Sequence, residues 1–162
     1  MATTRYVLTP RSAELFGAAP TLSVINDRPF LAFDATTDQN AHWTVAAPQG
    51  LTGTMTAVIC YMMATATTGS VRFQVAVEAV SDGDATDLDT TTSFDTDNSA
   101  GATVPGTAGY IDQLSVTLTN QDSVAAADYL RIRVRRDADG TSGTDDATGD
   151  CRVLYVELRD AA

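Results

Sequence analysis

Two stretches near the C-terminus alternate apolar with charged residues, and they constrain the fold more than any other part of the chain. Residues 130–136 place Leu, Ile and Val between arginines, and residues 151–159 repeat the pattern with Leu154 and Val156 in the apolar set. A period of two is typical of a β-strand with one face buried and the other in water. The connection, 137–150, contains only Asp, Gly, Thr, Ser and Ala, so it offers no side chain that would anchor it to a core. We predict a core-forming hairpin that carries a long acidic loop.

The rest of the chain contains further segments of strand character, separated by turn residues, and no long helical pattern. These segments are 30–33, 41–45, 55–66, 71–80 and 110–119. We predict an all-β fold, a jelly-roll-like β-sandwich of about eight antiparallel strands. An immunoglobulin-like sandwich fits less well, because the chain has no Cys…Trp…Cys spacing.

The most apolar segment is 55–66, which is apolar at both odd and even positions. This predicts that both of its faces are covered, one by a neighbouring sheet and the other by another subunit. A tight turn separates it from 71–80, so we predict that the two segments form an antiparallel hairpin. Cys60 lies in this segment, and we predict that it and Cys151 are free thiols, with a disulfide as the alternative if their strands are neighbours.

Residues 1–28 are predicted to form an irregular N-terminal arm, and residues 29–162 the β-sandwich domain. Pro10 and Pro20 interrupt any longer element in the arm. Two interpretations are open at this point. The arm reaches onto a neighbouring subunit, or it forms an ordinary first strand of the same domain.

Acidic residues outnumber basic ones, since 18 Asp and 3 Glu stand against 10 Arg and no Lys, for a net charge of −11. Nucleic-acid binding is therefore not expected, because phosphate contacts need accessible cations. The absence of lysine excludes Schiff-base chemistry and a P-loop. The sequence has no run of about 18 apolar residues that would predict a membrane span and no N-terminal pattern of a secretory signal. We expect a protein that is made in the cytoplasm of its host.

Clustered aspartates make two loops candidates for calcium binding, because calcium takes about six to eight hard oxygen ligands. Neither loop has the spacing of an EF-hand. The alternative is a solvated, strongly charged loop that discourages aggregation, and we predict no bound metal or cofactor. The candidate ligands are Asp82, Asp84, Asp87, Asp89, Asp137 and Asp139.

A catalytic site is not expected. The acids that fall in strand-like segments are Glu78, Asp112 and Glu157, without the aromatic-lined cleft that accompanies glycoside hydrolysis. The single histidine, His42, has no Gly-x-Ser-x-Gly nucleophile elbow to serve. We therefore predict no catalytic residues and a protein that is not an enzyme.

Sugar binding is a further interpretation, because β-sandwich modules present aromatic side chains on which sugar rings stack. We expect such binding to depend on Trp43 or Tyr155 and to be lost when either is changed to Ala. The aromatic residues available for this role are Trp43, Tyr61, Tyr110, Tyr129 and Tyr155.

Four phrases of the chain resemble small proteins encoded by tailed bacteriophages. They are structural phrases without a catalytic motif, and together they cover most of the chain from Arg28 onward. The phrases are RPFLAFDATT at 28–37, ATATTGSV at 64–71, PGTAGY at 105–110, and RVRRDAD at 133–139 with TGD at 148–150 and VELR at 156–159.

The resemblance implies a virion component with a β-sandwich fold and no active site. We expect a capsid decoration protein that binds the major capsid protein, or other virion proteins, and stabilises the head as a homotrimer or higher oligomer. The alternative is a tail or fibre component with a receptor-binding or carbohydrate-binding β-sandwich. The candidate interface residues come from the two-sided segment and from the arginine row, and they are Met55, Met62, Arg131, Arg133 and Arg135.

Overall fold

The computed structural model describes residues 2–160, and its regular secondary structure is β-strand except for one 3-10 turn at Pro10–Ser12. Met1, Ala161 and Ala162, which the predicted arm and domain include, lie outside the described residues. The ten strands are β1 (Thr3–Leu8), β2 (Thr21–Ile25), β3 (Arg28–Phe33), β4 (Gln39–Ala46), β5 (Thr56–Met63), β6 (Ser70–Val80), β7 (Asn98–Thr103), β8 (Asp112–Thr117), β9 (Tyr129–Arg136) and β10 (Cys151–Asp160).

The strands form two sheets. Sheet A has the order β2-β3-β10-β5-β8, and β1 also pairs with β10; sheet B has the order β4-β9-β6-β7. Every pairing is antiparallel. The predicted all-β, jelly-roll-like sandwich is confirmed. Strand β7 was not predicted, because its sequence of Asn, Ser, Ala, Gly, Ala and Thr has no apolar alternation.

Both predicted hairpins are wrong. Strand β9 lies in sheet B and β10 in sheet A, and likewise β5 lies in sheet A and β6 in sheet B. Each connection crosses from one sheet to the other. Alternation predicts which face of a strand is buried, but it does not predict which strand lies beside it. The two strands of each predicted hairpin lie in opposite sheets and pack their apolar faces toward each other across the core.

The core fills the space between the sheets. Phe33 of β3 meets Phe73 of β6 edge-on, with the ring centroids 5.5 Å apart. Ile59 of β5 and Ile132 of β9 are fully buried in the same cluster. Each buried side chain of this size contributes about 1.5–3 kcal/mol to stability.

The acidic connection 137–150 is anchored to the core, contrary to the prediction that it lacks an anchor. The anchor is Arg136, the last residue of β9, which is fully buried and donates two hydrogen bonds to the Asp145 carboxylate at 2.7 and 3.0 Å. It also donates to the carbonyls of Ala147 at 2.8 Å and Gly149 at 2.9 Å. The loop therefore bends back over the end of the sandwich.

The first 28 residues contain two strands of sheet A and are not an irregular arm. Strand β1 pairs with the second half of β10, from Thr3 opposite Asp160 to Leu8 opposite Val156, and β2 pairs with β3 along its whole length. Pro10 and Pro20 lie between and beside these strands and do not interrupt them. This agrees with the alternative of an ordinary first strand.

A bulge in β10 changes which residues face the core. The pairing with β5 shifts register between Val153 and Tyr155, so Val153 and Val156 both point inward while Leu154 and Tyr155 lie between them on the outer side. The predicted inward position of Leu154 is therefore wrong.

The two cysteines are free, as predicted. Cys151 belongs to the core cluster, whereas Cys60 lies on the opposite face of sheet A. Within residues 2–160, no helix has the length and apolar character to cross a membrane.

Candidate functional site

The outer face of sheet A carries a groove that we call the Arg152 groove. It consists of two neighbouring depressions of about 360 and 400 Å³, and the Arg152 side chain lines both. These volumes lie within the range of small-molecule sites, about 300–1,000 Å³. The first, polar depression is lined by Thr21, Ser23, Phe30, Ala32, Asp34, Gln39, Asp150 and Arg152. The second, apolar depression is lined by Ile25, Asn26, Arg28, Met62, Gly109, Ile111, Arg152 and Leu154.

Arg152 is positioned by stacking and leaves its hydrogen-bond donors free. Its guanidinium lies over the ring of Phe30, 5.2 Å from the centroid. Among the described residues, no carboxylate or carbonyl accepts a hydrogen bond from it, whereas Arg136 and Arg159 are both paired with acids. A guanidinium has five N–H donors, so Arg152 is a ready donor for a bound ligand.

The polar depression adds acceptors beside this donor. Asp34 is held ionised, because hydrogen bonds from the hydroxyl and backbone of Thr36, together with those of Thr37, lower the pKa of its carboxyl. These bonds use Oδ1, at 2.6–2.8 Å. The Gln39 carbonyl is occupied by the backbone N–H of Asp34 at 2.8 Å. Donors and acceptors therefore line one depression.

The apolar depression lies across Arg152 from the polar one. The bulge in β10 places Leu154 there, beside Met62 of β5. Ile111 at its rim is 65% exposed, as is the adjacent Tyr110. A ligand with one polar and one apolar side would find both surfaces on the same face of the sandwich.

Two of the five aromatic residues considered for sugar stacking, Trp43 and Tyr61, are buried, whereas Tyr110 and Tyr129 are exposed. Trp43 is 2% exposed and donates its indole N–H to the Thr9 carbonyl at 3.0 Å. Tyr61 is fully buried and donates to Asp112 at 2.9 Å. Tyr155 lies on the outer side of sheet A, and its hydroxyl accepts a hydrogen bond from Gln113 at 3.2 Å.

The arginine row of β9 forms ion pairs within the chain. Arg131 pairs with Glu78 at 3.2 Å, and Arg133 with Asp97 at 2.9 Å. Arg135 contacts Asp97 at 3.4 Å and Asp38 at 3.8 Å. Their role at an interface stays a prediction.

The two methionines predicted at an interface lie in different places. Met55 is 2% exposed and belongs to the core cluster. Met62 is 9% exposed and lines the apolar depression. Segment 55–66 is thus covered on both faces within one chain, and a contact of Met62 with another subunit stays a prediction.

The acidic residues considered for calcium separate into two groups. Asp82, Asp84, Asp87 and Asp89 lie in an exposed loop, where Asp87 accepts from Asp89 and Thr90. Asp137 and Asp139 come together with Asp38, with ligand atoms within 4.8 Å of one another.

Loop contacts occupy this second group. Both oxygens of Asp137 accept bonds from the side chains of Thr141 and Ser142, which lower the pKa of its carboxyl against the opposing effect of burial. Asp38 accepts from the backbone of Ala138 at 2.8 Å. Calcium binding stays a prediction.

The strand carboxylates are not arranged as a catalytic pair. Glu78 is buried and accepts hydrogen bonds from the Ser93 N–H and the Arg131 guanidinium, and Asp112 accepts one from the Tyr61 hydroxyl. Glu157 contacts Thr4 and Arg159. Each acid thus has its own structural partner.

Comparison with known proteins supports the fold. No known family model matches this chain, and no curated protein sequence does. A family 35 carbohydrate-binding module from Clostridium thermocellum is similar in structure, with a TM-score of 0.56 and 13% identity over 96% of this chain and 98% of that one. A carbohydrate-binding module specific for non-crystalline cellulose, CBM28, gives a TM-score of 0.50 and 7% identity over 94% of this chain and 89% of that one. At these identities the likeness establishes the β-sandwich fold alone.

Proposed function

We propose that this chain is a non-catalytic carbohydrate-binding β-sandwich and that the Arg152 groove holds the sugar. The observation that carries the proposal is the unpaired guanidinium of Arg152 between a polar and an apolar depression. The two proteins of similar structure, both of them carbohydrate-binding modules, support it. The resemblance to phage proteins leads us to propose that the chain is a tail or fibre component that binds a host glycan.

The groove matches the chemistry of an uncharged sugar. A sugar hydroxyl both donates and accepts, so neighbouring hydroxyls can donate to Asp34 and Asp150 and accept from Arg152. The C–H face of the ring is apolar and suits Met62 and Leu154. The two carboxylates balance the charges of Arg28 and Arg152, so the groove has no net charge that would favour an anionic ligand.

A glycan array followed by calorimetric titration tests this proposal. Neutral glycans found on the array are titrated against the wild-type protein, Arg152→Ala and the matched control Arg159→Ala. Arg159 is on the same strand, is partly exposed and is paired with Glu157, outside the groove. We expect Arg152→Ala to weaken binding about tenfold or more, because hydrogen bonds to a charged group contribute about 1.5–3 kcal/mol. The control is expected to bind like the wild type.

Two outcomes would refute the proposal. One is an array on which no neutral glycan binds. The other is binding that survives in Arg152→Ala while its circular dichroism spectrum and melting curve match those of the wild type. Loss of binding in both arginine variants alike would place the sugar elsewhere.

The capsid-decoration role, with a homotrimer or higher oligomer on the phage head, stays a prediction. The free arm on which it relied is part of sheet A. Binding to the major capsid protein is tested by co-sedimentation with expanded capsids.

A further inference from the structure

A third depression, of about 300 Å³, lies on the outer face of sheet B, on the other side of the sandwich from the Arg152 groove. We call it the His42 groove. Its floor comes from β4 and β9, and its walls come from the segment before β2 and the connection between β6 and β7. Its lining includes Phe16, Asn40, His42, Phe94, Arg131 and Arg133.

Aromatic rings line this groove in a row. Phe16 is stacked on His42 with ring centroids 4.4 Å apart and an angle of 17° between planes, and Phe94 lies 5.8 Å from His42 on another side. The guanidiniums of Arg131 and Arg133 lie 5.3 and 4.9 Å from the centre of the Phe94 ring. Phe16 is 53% exposed, so part of its ring is open to a ligand.

Two nitrogen atoms in this groove have no partner among the described residues. They are Nδ1 of His42 and Nε of Arg133, and the His42 residue as a whole is 6% exposed. Buried polar atoms of native proteins are nearly always hydrogen-bonded. Arg133 Nε is always a donor, and His42 Nδ1 is a donor in one tautomer. Two unpaired nitrogens in one groove point to an acceptor that is supplied from outside the chain.

The charges of the groove select an anionic acceptor. No Asp or Glu lines it, although the chain as a whole carries a net charge of −11. Arg131 uses Nη1 for Glu78, and Arg133 uses Nη2 for Asp97, which leaves further N–H groups of both guanidiniums unused. Guanidinium groups with free N–H pairs match the geometry of carboxylates and sulfates.

We propose that the His42 groove is a second binding site, for a ring compound that carries a carboxylate or a sulfate. The anionic group accepts hydrogen bonds from Arg131, Arg133 and the His42 imidazole, and the ring packs against Phe16. Two backbone hydrogen bonds to β4 fix the chain on either side of Phe16. The Glu14 N–H donates to the His42 carbonyl at 2.7 Å, and the Asn40 N–H donates to the Ala18 carbonyl at 2.8 Å. The exposed Phe16 ring can still change rotamer, which opens the way to the buried nitrogens.

Nuclear magnetic resonance titration tests this site directly. The probes are glucuronate and glucose 6-sulfate, with glucose as the neutral counterpart, and the observed signals are the Arg Nε–H groups and the His42 ring. We expect the anionic probes, and not glucose, to shift the signals of His42 and Arg133. A response to one anionic probe alone supports the site and identifies the chemical group it prefers.

Matched variants decide whether the groove itself binds. Arg131→Gln and Phe16→Ala are each expected to weaken binding of the anionic probe, the former about tenfold. Arg135→Gln is the control, because Arg135 is on the same face of the same strand and outside the groove. We expect it to change the affinity less than about twofold.

Three results would overturn the proposal. They are equal shifts with glucose, no shift of His42 and Arg133 at saturating probe, and an Arg135→Gln variant that loses as much affinity as Arg131→Gln. The last result would mean that the anionic probe is attracted by the positive charge of Arg131, Arg133 and Arg135 together and does not bind in the His42 groove. Arg152→Ala must leave this binding unchanged, so failure here is distinguishable from failure of the Arg152 groove.

Discussion

The two outer faces of the sandwich use their arginines differently. On sheet A, Arg152 stacks on Phe30 and has no acidic partner among the described residues, while carboxylates stand further along the groove. On sheet B, Arg131 and Arg133 are each already paired with an acid. Arg131 finds its partner, Glu78, on the neighbouring strand β6, and Arg133 finds Asp97 in the long connection between β6 and β7, which lies over sheet B. The number of arginines in a strand therefore does not tell how many N–H groups each of them leaves for a ligand.

The largest expected effect comes from Arg136→Met, which removes the anchor that holds the connection 137–150 against the end of the sandwich. The variant leaves the Asp145 carboxylate and the carbonyls of Ala147 and Gly149 buried without their donor. Breaking a buried pair from one side costs about 3–5 kcal/mol. Denaturant unfolding measures this loss. Binding at the Arg152 groove should also weaken, because Gly149 loses its hydrogen bond to Arg136 and the adjacent Asp150 lines that groove. The folded fraction of the variant should bind ligand at the His42 groove as the wild type does. An unfolding free energy within about 1 kcal/mol of the wild type would contradict this role of Arg136.

A smaller effect is expected from pH, and its histidine contribution comes from sheet B. Burial, with the charges of Arg131 and Arg133, lowers the pKa of His42 to about 4, and Glu14 opposes this shift. Between about pH 6.5 and pH 4 the unfolded chain then binds a proton that the folded chain does not, so stability falls as the pH is lowered through this window. The loss from this group amounts to at most about 3 kcal/mol.

The control for this pH effect is His42→Gln, because other acids also titrate at low pH. The unfolding free energies of wild type and variant are compared from pH 7.5 to pH 4, and the difference between them should shrink or reverse toward pH 4. Parallel curves would show that His42 keeps an ordinary pKa.

The smallest expected effect separates the two grooves by salt. Binding of an anionic probe at the His42 groove should weaken a few-fold between about 0.05 and 0.5 M NaCl, because screening weakens attraction between exposed charges. Binding of a neutral glycan at the Arg152 groove should change by less than about twofold over the same range. Titrations at both salt concentrations measure this contrast, and equal salt dependence at both sites would remove the distinction between the faces.

The sequence was sufficient for the fold class and insufficient for the pairing of strands. Alternation in β9 identifies Leu130, Ile132 and Val134 as inward, and all three are fully buried. Which strands are neighbours depends on contacts between distant parts of the chain, such as β10 with β3 and β5, and local patterns carry no record of them.

The candidate sites were harder to predict. The outward position of Arg152 depends on the bulge in β10. The sequence contains a sign of this bulge, because the apolar residues change from odd positions, Cys151 and Val153, to even positions, Val156 and Leu158. The His42 groove had a weaker signal, since Phe16 and Phe94 are far apart in sequence and meet only through His42.

The bulge between Val153 and Tyr155 also bears on how this chain can evolve. It sets the phase of β10, because one extra residue there lets Val153 and Val156 both face the core. Loss of the codon for the extra residue, Leu154, would leave Val153 and Val156 facing the core in a regular strand, whereas loss of a codon on either side of the bulge would turn part of the strand over. The same loss within the exposed stretch 82–91 would leave the sandwich intact. Insertions and deletions are therefore expected to accumulate between β6 and β7 and to be purged from the regular parts of β10 on either side of the bulge.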